Sequence, residues 1–104
     1  MSDTVRSVRP PSLVELGGDI DLANAQAIAD ALCEAIDRTS TGLLVDLSAV
    51  PFMDSSAMAM LIRVHAHALE RGCAVTWRGL QPGPTRVIEI IGLDNLLLFE
   101  PDTQ

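Results

Sequence analysis

The sequence predicts a single α/β domain, built on a small mixed sheet of four or five strands with its helices mainly on one face. Its 104 residues suffice for one ordinary core and leave no room for a second. Short apolar runs alternate with segments whose apolar residues recur at three and four positions, which is the alternation of an α/β chain. Each strand-to-strand connection is long enough to hold a helix, and such connections favour parallel neighbours and a right-handed path. Three helices are too few to cover both faces of the sheet.

Residues 1–12 are expected to form an N-terminal edge segment and residues 13–99 the core. Thr4 to Val8 can pair as an edge strand across a turn at Pro10-Pro11, which makes the sheet mixed. Leu13, Val14 and Leu16, interrupted by Glu15 and closed by Gly17-Gly18, read as a strand running into a turn. Asp21 stands where a helix N-cap belongs. After it Leu22, Ala25, Ile28, Ala29, Leu32, Ala35 and Ile36 form an amphipathic stripe.

That helix ends at Thr39 to Gly42. Leu43 to Leu47 is then apolar on successive positions except for Asp46, as expected of a central strand buried on both faces or nearly so. A loop with Ser48 and Pro51 leads to Asp54-Ser55-Ser56, where a second helix begins, with Met58, Leu61, Ile62, His65, Ala68 and Leu69 on one face and Gly72 as its stop. Cys73 to Arg78 reads as a strand. Gly83-Pro84 opens a third helix with Val87, Ile88 and Ile91 inward and Gly92 at its end, Pro84 supplying the preset φ of a first helical turn. The run Leu96 to Phe99 is too apolar for a free end and is expected to pack back onto the domain.

Composition narrows the function. About half the residues are apolar, 48%, while Phe52, Trp77 and Phe99 are the only aromatics, so the core is expected to be aliphatic. A formal net charge of −7 with arginines spread singly argues against nucleic acid, whose binding depends on neutralising phosphates. The acidity either suits a basic patch on a protein partner or only keeps the chain soluble. Cys33 and Cys73 have no metal-ligand spacing and read as small apolar residues of a reducing compartment. With no apolar leader region and no run of roughly 20 apolar residues, the chain is expected to be cytoplasmic, without membrane insertion.

The usual signatures of catalysis are missing. There is no G-x-S-x-G elbow, no phosphate-binding glycine loop and no dinucleotide fingerprint, so the chain is read as a non-enzyme with no cofactor. His65 and His67 lie two apart on a helix and point to different faces, unlike the i,i+4 pair of a zinc helix. His65 is expected in the core, His67 on the surface, and Met53, Met58 and Met60 as core filling.

The informative stretch is Asp54-Ser55-Ser56, where a loop becomes a helix whose first N–H groups lack internal partners. In one reading Asp54 or Ser55 simply caps that helix, a contribution of about 1 kcal/mol. In the other, Ser55 is an exposed hydroxyl at which a phosphate, tolerated by the helix dipole, adds about −1.5 to −2 charges and disrupts a partner fitted to neutral serine. The chemistry of the residues leaves both open.

At these residues the chain resembles the STAS family, marked by a D-L-S-x-V-x-F-[MI]-D-S-[ST]-G stretch, here Asp46-Leu47-Ser48-Ala49-Val50-Pro51-Phe52-Met53-Asp54-Ser55-Ser56. Gly18-Asp19-Ile20-Asp21 is similar to the family's G-E-[IL]-D turn, and Val87 to Asp94 to its closing helix and G-L-D. The likeness spans about residues 13 to 99. It implies an anti-sigma factor antagonist. In such proteins the serine after the motif aspartate, here Ser55, is phosphorylated by an anti-sigma factor that is also a serine kinase of the histidine-kinase-like ATPase type. The unphosphorylated antagonist holds the kinase and frees the sigma factor, and a phosphatase resets it. The resemblance places Asp21, Asp54, Ser55, Ser56 and Ala57 at the partner contact.

Ala57 stands where the family has glycine. Alanine is the better helix former by roughly 1 kcal/mol, yet its methyl also stands where a kinase would approach, and the sequence leaves the two consequences open. A second function fits the same signature: the STAS subunit of a lipid-transport ABC complex, bound to the transporter ATPase without a phosphorylation cycle.

Overall fold

The computed structural model describes residues 5–9, 13–39 and 41–100. Its five strands are β1 (Val5–Arg9), β2 (Leu13–Gly17), β3 (Leu43–Ala49), β4 (Val75–Arg78) and β5 (Leu98–Phe99). Between them lie α1 (Ala25–Asp37), α2 (Ser55–Glu70), α3 (Pro82–Ile91) and a 3-10 turn at Leu93–Asn95. The strands stand in the sheet in chain order, β1 antiparallel to β2 and the rest parallel. Steps always in one direction, each by a right-handed crossover, put every connecting helix on the same side. The helices accordingly pack on one face.

Strand periodicity divides the sheet. Val14 and Leu16, Val45 and Leu47, and Val75 and Trp77 are buried beneath the helices. On the opposite face the paired rows Leu13, Leu44, Thr76 and Glu15, Asp46, Arg78 are half-buried. The central strand β3 is therefore fully buried on one face only, because no helix crosses the other. Burying the helical face stabilises by about 1.5–3 kcal/mol for each large aliphatic side chain. Trp77, at 0% exposure the largest of the fully buried side chains, corrects the expectation of a purely aliphatic core.

Several boundaries also differ from the sequence reading. The edge strand runs from Val5 to Arg9; Thr4 and the Pro10-Pro11 turn lie outside the described residues. The first helix starts at Ala25, not after Asp21, since Asp21 closes a turn of its own: its carboxylate accepts from Ala23 N at 3.0 Å and its N–H donates to Asn24 Oδ1 at 2.9 Å. Leu22 thereby leaves the buried stripe and is 82% exposed, while Cys33 joins it. On α2 the buried face is Ala57, Met58, Met60, Leu61, Val64, His65 and Ala68, and Ile62 and Leu69 are exposed.

The strand expected from Cys73 begins at Val75, and Cys73 is only half-buried. α3 begins at Pro82 and buries Pro84 and Ile88, leaving Val87 and Ile91 exposed. It lies over the narrow end of the sheet, where β5 has two residues, so one stripe is enough. The tail does pack back, with Leu97 buried and β5 pairing with β4.

Along the α1–α2 seam, Arg63 Nη2 meets Asp30 Oδ1 at 2.7 Å, and Asp37 Oδ1 meets both His67 Nε2 at 2.8 Å and Arg71 Nε at 3.0 Å. His67 is thus half-buried and engaged. His65 is buried, with Nδ1 lacking a hydrogen-bond partner. Met53, Met58 and Met60 all lie in the core. Among the described residues no helix is long and apolar enough to cross a membrane.

Candidate functional site

The site forms where the loop after β2 meets the loop after β3. Gly18 N donates to Ala49 O at 2.9 Å, Ile20 N to Phe52 O at 3.0 Å and Asp54 N to Ile20 O at 3.2 Å, with Ile20 and Met53 bridged as in a parallel sheet. Both Ile20 and Met53 are buried, at 0% and 3% exposure. Two apolar anchors and three backbone hydrogen bonds therefore hold the loops side by side before any partner arrives.

Asp54 joins them a second time. It is the N-cap of α2, its Oδ1 accepting from Ala57 N at 3.1 Å, and its Oδ2 accepts from Leu22 N at 3.2 Å. One carboxylate thus caps α2 and fixes the turn before α1. Asp54→Ala is expected to cost about 1–2 kcal/mol in urea unfolding, the usual loss for a deleted N-cap, and to speed amide exchange at Leu22. Asp54→Asn, an equivalent cap, should retain most of the stability. A loss from Asp54→Ala no larger than that of an arbitrary exposed substitution would refute the double role.

With the cap supplied by Asp54, Ser55 is left over. It is the first residue of α2, exposed, and its hydroxyl has no hydrogen-bond partner among the described residues. Ser56 is half-buried beside it, and Asp21 is half-buried on the facing loop. Ala57 is at 0% exposure: its methyl faces the core, and its N–H is bound to Asp54. The structure therefore brings Asp21, Asp54, Ser55 and Ser56 together at one corner and sets the Ala57 side chain beneath them. Among the described residues no group of three or more His, Cys, Asp and Glu side chains is placed to hold a metal ion.

The corner can be compared with known proteins. A family model described as the Mlab, STAS domain matches residues 4–99. The chain belongs to the STAS domain family. Such domains are regulatory and non-catalytic. This STAS domain is 32% identical over 93 residues to the anti-sigma-F factor antagonist RsfB of Mycobacterium tuberculosis, covering 88% of this chain and 74% of that one. The crystal structure of an anti-sigma factor antagonist from Mycobacterium paratuberculosis is 30% identical, with a TM-score of 0.71 over 86% of this chain and 76% of that one. A STAS domain protein from Planctomyces limnophilus shares the fold at 16% identity, with a TM-score of 0.75 over 96% and 92% of the two chains.

The first residues of the motif serve the scaffold of the STAS domain. Asp46 Oδ1 accepts from Ser48 N at 2.8 Å and Ser48 Oγ at 2.6 Å, and Oδ2 accepts from Arg78 Nε at 3.0 Å. Burial pushes the Asp46 carboxyl up, but the Ser48 hydroxyl, the Ser48 N–H and the Arg78 guanidinium together outweigh it and hold the group below its ordinary value. A carboxyl that binds its proton less tightly folded than unfolded stabilises above the unfolded range, near pH 4, and loses that contribution as pH falls through the lower folded value. Asp46→Asn is therefore expected to unfold at lower urea at pH 7 and to approach the wild type under acid, seen as converging midpoints between about pH 5 and 2. Midpoints a constant distance apart over that range would contradict it.

Proposed function

We propose that this protein is an anti-sigma factor antagonist that, unphosphorylated, binds an anti-sigma factor acting also as a serine kinase of the histidine-kinase-like ATPase type. In that complex the sigma factor is free. Phosphorylation of Ser55 releases the kinase, and a phosphatase acting on phospho-Ser55 resets the cycle. The observation that carries the reading is the exposed Ser55 on the first residue of α2, whose hydroxyl has no hydrogen-bond partner among the described residues. The relatives named as antagonists, at 30% and 32% identity, support the same class of partner.

The corner is suited to such a cycle. Ser55 and Ser56 N–H groups at the α2 N-terminus have no intrahelical partners, so a phosphate on Ser55 meets donors and a favourable dipole and leaves the helix intact. Asp21, Asp54 and Ser56 surround it as contact residues. Ala57, with its methyl in the core, leaves approach to Ser55 open.

Membership of the STAS family is equally compatible with a second reading, as a STAS subunit bound to the ATPase of a lipid-transport complex. One experiment separates the two. Affinity purification from the native cell, wild type beside Ser55→Asp, is read by mass spectrometry for bound proteins and phosphosites. A histidine-kinase-like ATPase held by wild type and lost by Ser55→Asp, with phosphate on Ser55, is the expected result. A transporter ATPase held equally by both, with Ser55 unmodified, would replace the antagonist reading with the transport one.

A further inference from the structure

A groove runs away from the Ser55 corner between α1 and α2. It has a volume of about 260 Å³, and Leu22, Ala25, Ala29, Ser56, Ala59 and Met60 line it. Small side chains from the two helices make the trough, since Ala25, Ala29 and Ser56 reach no further than two heavy atoms from the backbone. Met60, buried at 3% exposure, offers an adaptable thioether surface. Leu22 stands at the corner end, and at 82% exposure no other large apolar side chain among the described residues is so uncovered.

Leu22 is exposed without being loose. Its N–H is held by the Asp54 carboxylate, and the turn that carries it is closed by Asp21 and Asn24. With its backbone held in this turn and its side chain uncovered among the described residues, Leu22 has little backbone entropy left to lose on binding and gives up only the side-chain rotamer freedom of one leucine. The charges at the Leu22 end are acidic, and Arg63 lines the far end of the groove. Asp19 and Asp21 are on the Leu22 loop, and Arg63 at the far end is already bound by Asp30 at 2.7 Å. The chain as a whole carries −7.

We propose that this groove, with Leu22 as its anchor, is the apolar centre of the surface that receives the anti-sigma kinase, and that the kinase supplies an apolar segment flanked by lysine or arginine. The proposal rests on the antagonist reading, whose Ser55 corner it extends. Continuity decides the occupant: Ser56 belongs both to that corner and to the groove wall, so a partner covering Ser55 also reaches the trough. Charge decides its chemistry, because an apolar segment with acidic flanks would meet like charge on the Leu22 loop. A stable complex buries about 800 Å² on each side, and a partner that covers the corner and the groove together buries more apolar surface than one that covers the corner alone.

The test places a benzophenone photo-crosslinking residue at one position at a time in the full chain in its native cell. Ala59 and Gln26, which also lines the groove, report on it, Phe52 on the Ser55 loop and Thr76 on the uncovered sheet face. Crosslinking of a histidine-kinase-like ATPase from positions 26 and 59 but not 76, through a peptide that is apolar with basic flanks, is expected. With that ATPase purified, Leu22→Ser should weaken binding by roughly 30-fold or more, the loss typical of an interface anchor, while the unfolding midpoint stays at the wild-type value. Capture of the ATPase from position 52 alone, or as strongly from 76 as from 59, would overturn the groove and leave the antagonist reading standing. No such ATPase from any position would overturn both.

Discussion

Gly42→Ala is expected to destabilise the protein by about 3 kcal/mol, a large part of the roughly 5–15 kcal/mol that holds a domain together. Gly42 directly precedes β3 with φ at +112°, and a Cβ there would stand 2.7 Å from the Ala74 carbonyl oxygen. That oxygen already accepts from Leu43 N at 2.9 Å, at the point where β3 first meets β4. A methyl group therefore forces strain of about 1–3 kcal/mol and shifts a backbone whose hydrogen bond is worth about 1 kcal/mol. For a domain of this size the thermal midpoint should fall by roughly 12–20 °C. Gly18→Ala is the control: φ is +81°, but no heavy atom lies within 4 Å of the added methyl, so only the backbone term of about 1–2 kcal/mol applies. Equal losses at the two positions would show that the Ala74 contact contributes nothing.

The mixed sheet, the alternation of strands and helices and the single helical face were legible in the sequence, and the reasons are local. Apolar runs such as Leu43 to Leu47 mark strands by local pattern, and connections long enough to hold a helix favour parallel neighbours. What escaped depends on groups far apart in the chain. The Asp46–Arg78 pair spans 32 residues, as does the Leu22–Asp54 contact, and no periodicity marks either. Asp21 carried a true signal with the wrong consequence, for it caps a turn as readily as a helix, and only the first intrahelical bonds distinguish them. The same error hid Leu22, because its spacing places it on the α1 stripe while the turn carries it outside. Val87 and Ile91 follow an inward period on α3, but how wide a stripe a helix must bury depends on the width of the sheet beneath it, here a two-residue strand.

Ser55 showed the opposite relation. The sequence left open whether Asp54 or Ser55 capped α2, and the structure settles the cap in favour of Asp54. A serine needed for the helix would make phosphorylation a folding event. A serine beside a completed cap can be modified while the scaffold stays as it is. The proposed switch thus acts on the surface, and its effect belongs in binding constants and not in melting curves.

The largest expected effect on function is accordingly a loss of kinase affinity on phosphorylation of Ser55, by 10- to 100-fold or more. A kinase must present the terminal phosphate of its nucleotide to the Ser55 hydroxyl, so the transferred phosphate then faces the nucleotide diphosphate, a like charge. Two such charges about 4 Å apart at an effective dielectric near 20 repel by roughly 4 kcal/mol. Screening by salt and water leaves about 1.4–2.8 kcal/mol, and each 1.4 kcal/mol is tenfold in affinity. Basic groups on the partner that meet Asp19 and Asp21 do not relieve this, because the repulsion acts at the transfer point itself. Titration of the purified kinase, loaded with nucleotide diphosphate, into phosphorylated and unphosphorylated protein measures the difference. Ser55→Ala should bind within about tenfold of the unphosphorylated wild type, since its hydroxyl has no hydrogen-bond partner among the described residues and a neutral hydrogen bond to the partner is worth only about 0.5–1.5 kcal/mol. Phosphorylated protein that binds as tightly as unphosphorylated protein would show that Ser55 is not the switch, whatever its position in the motif.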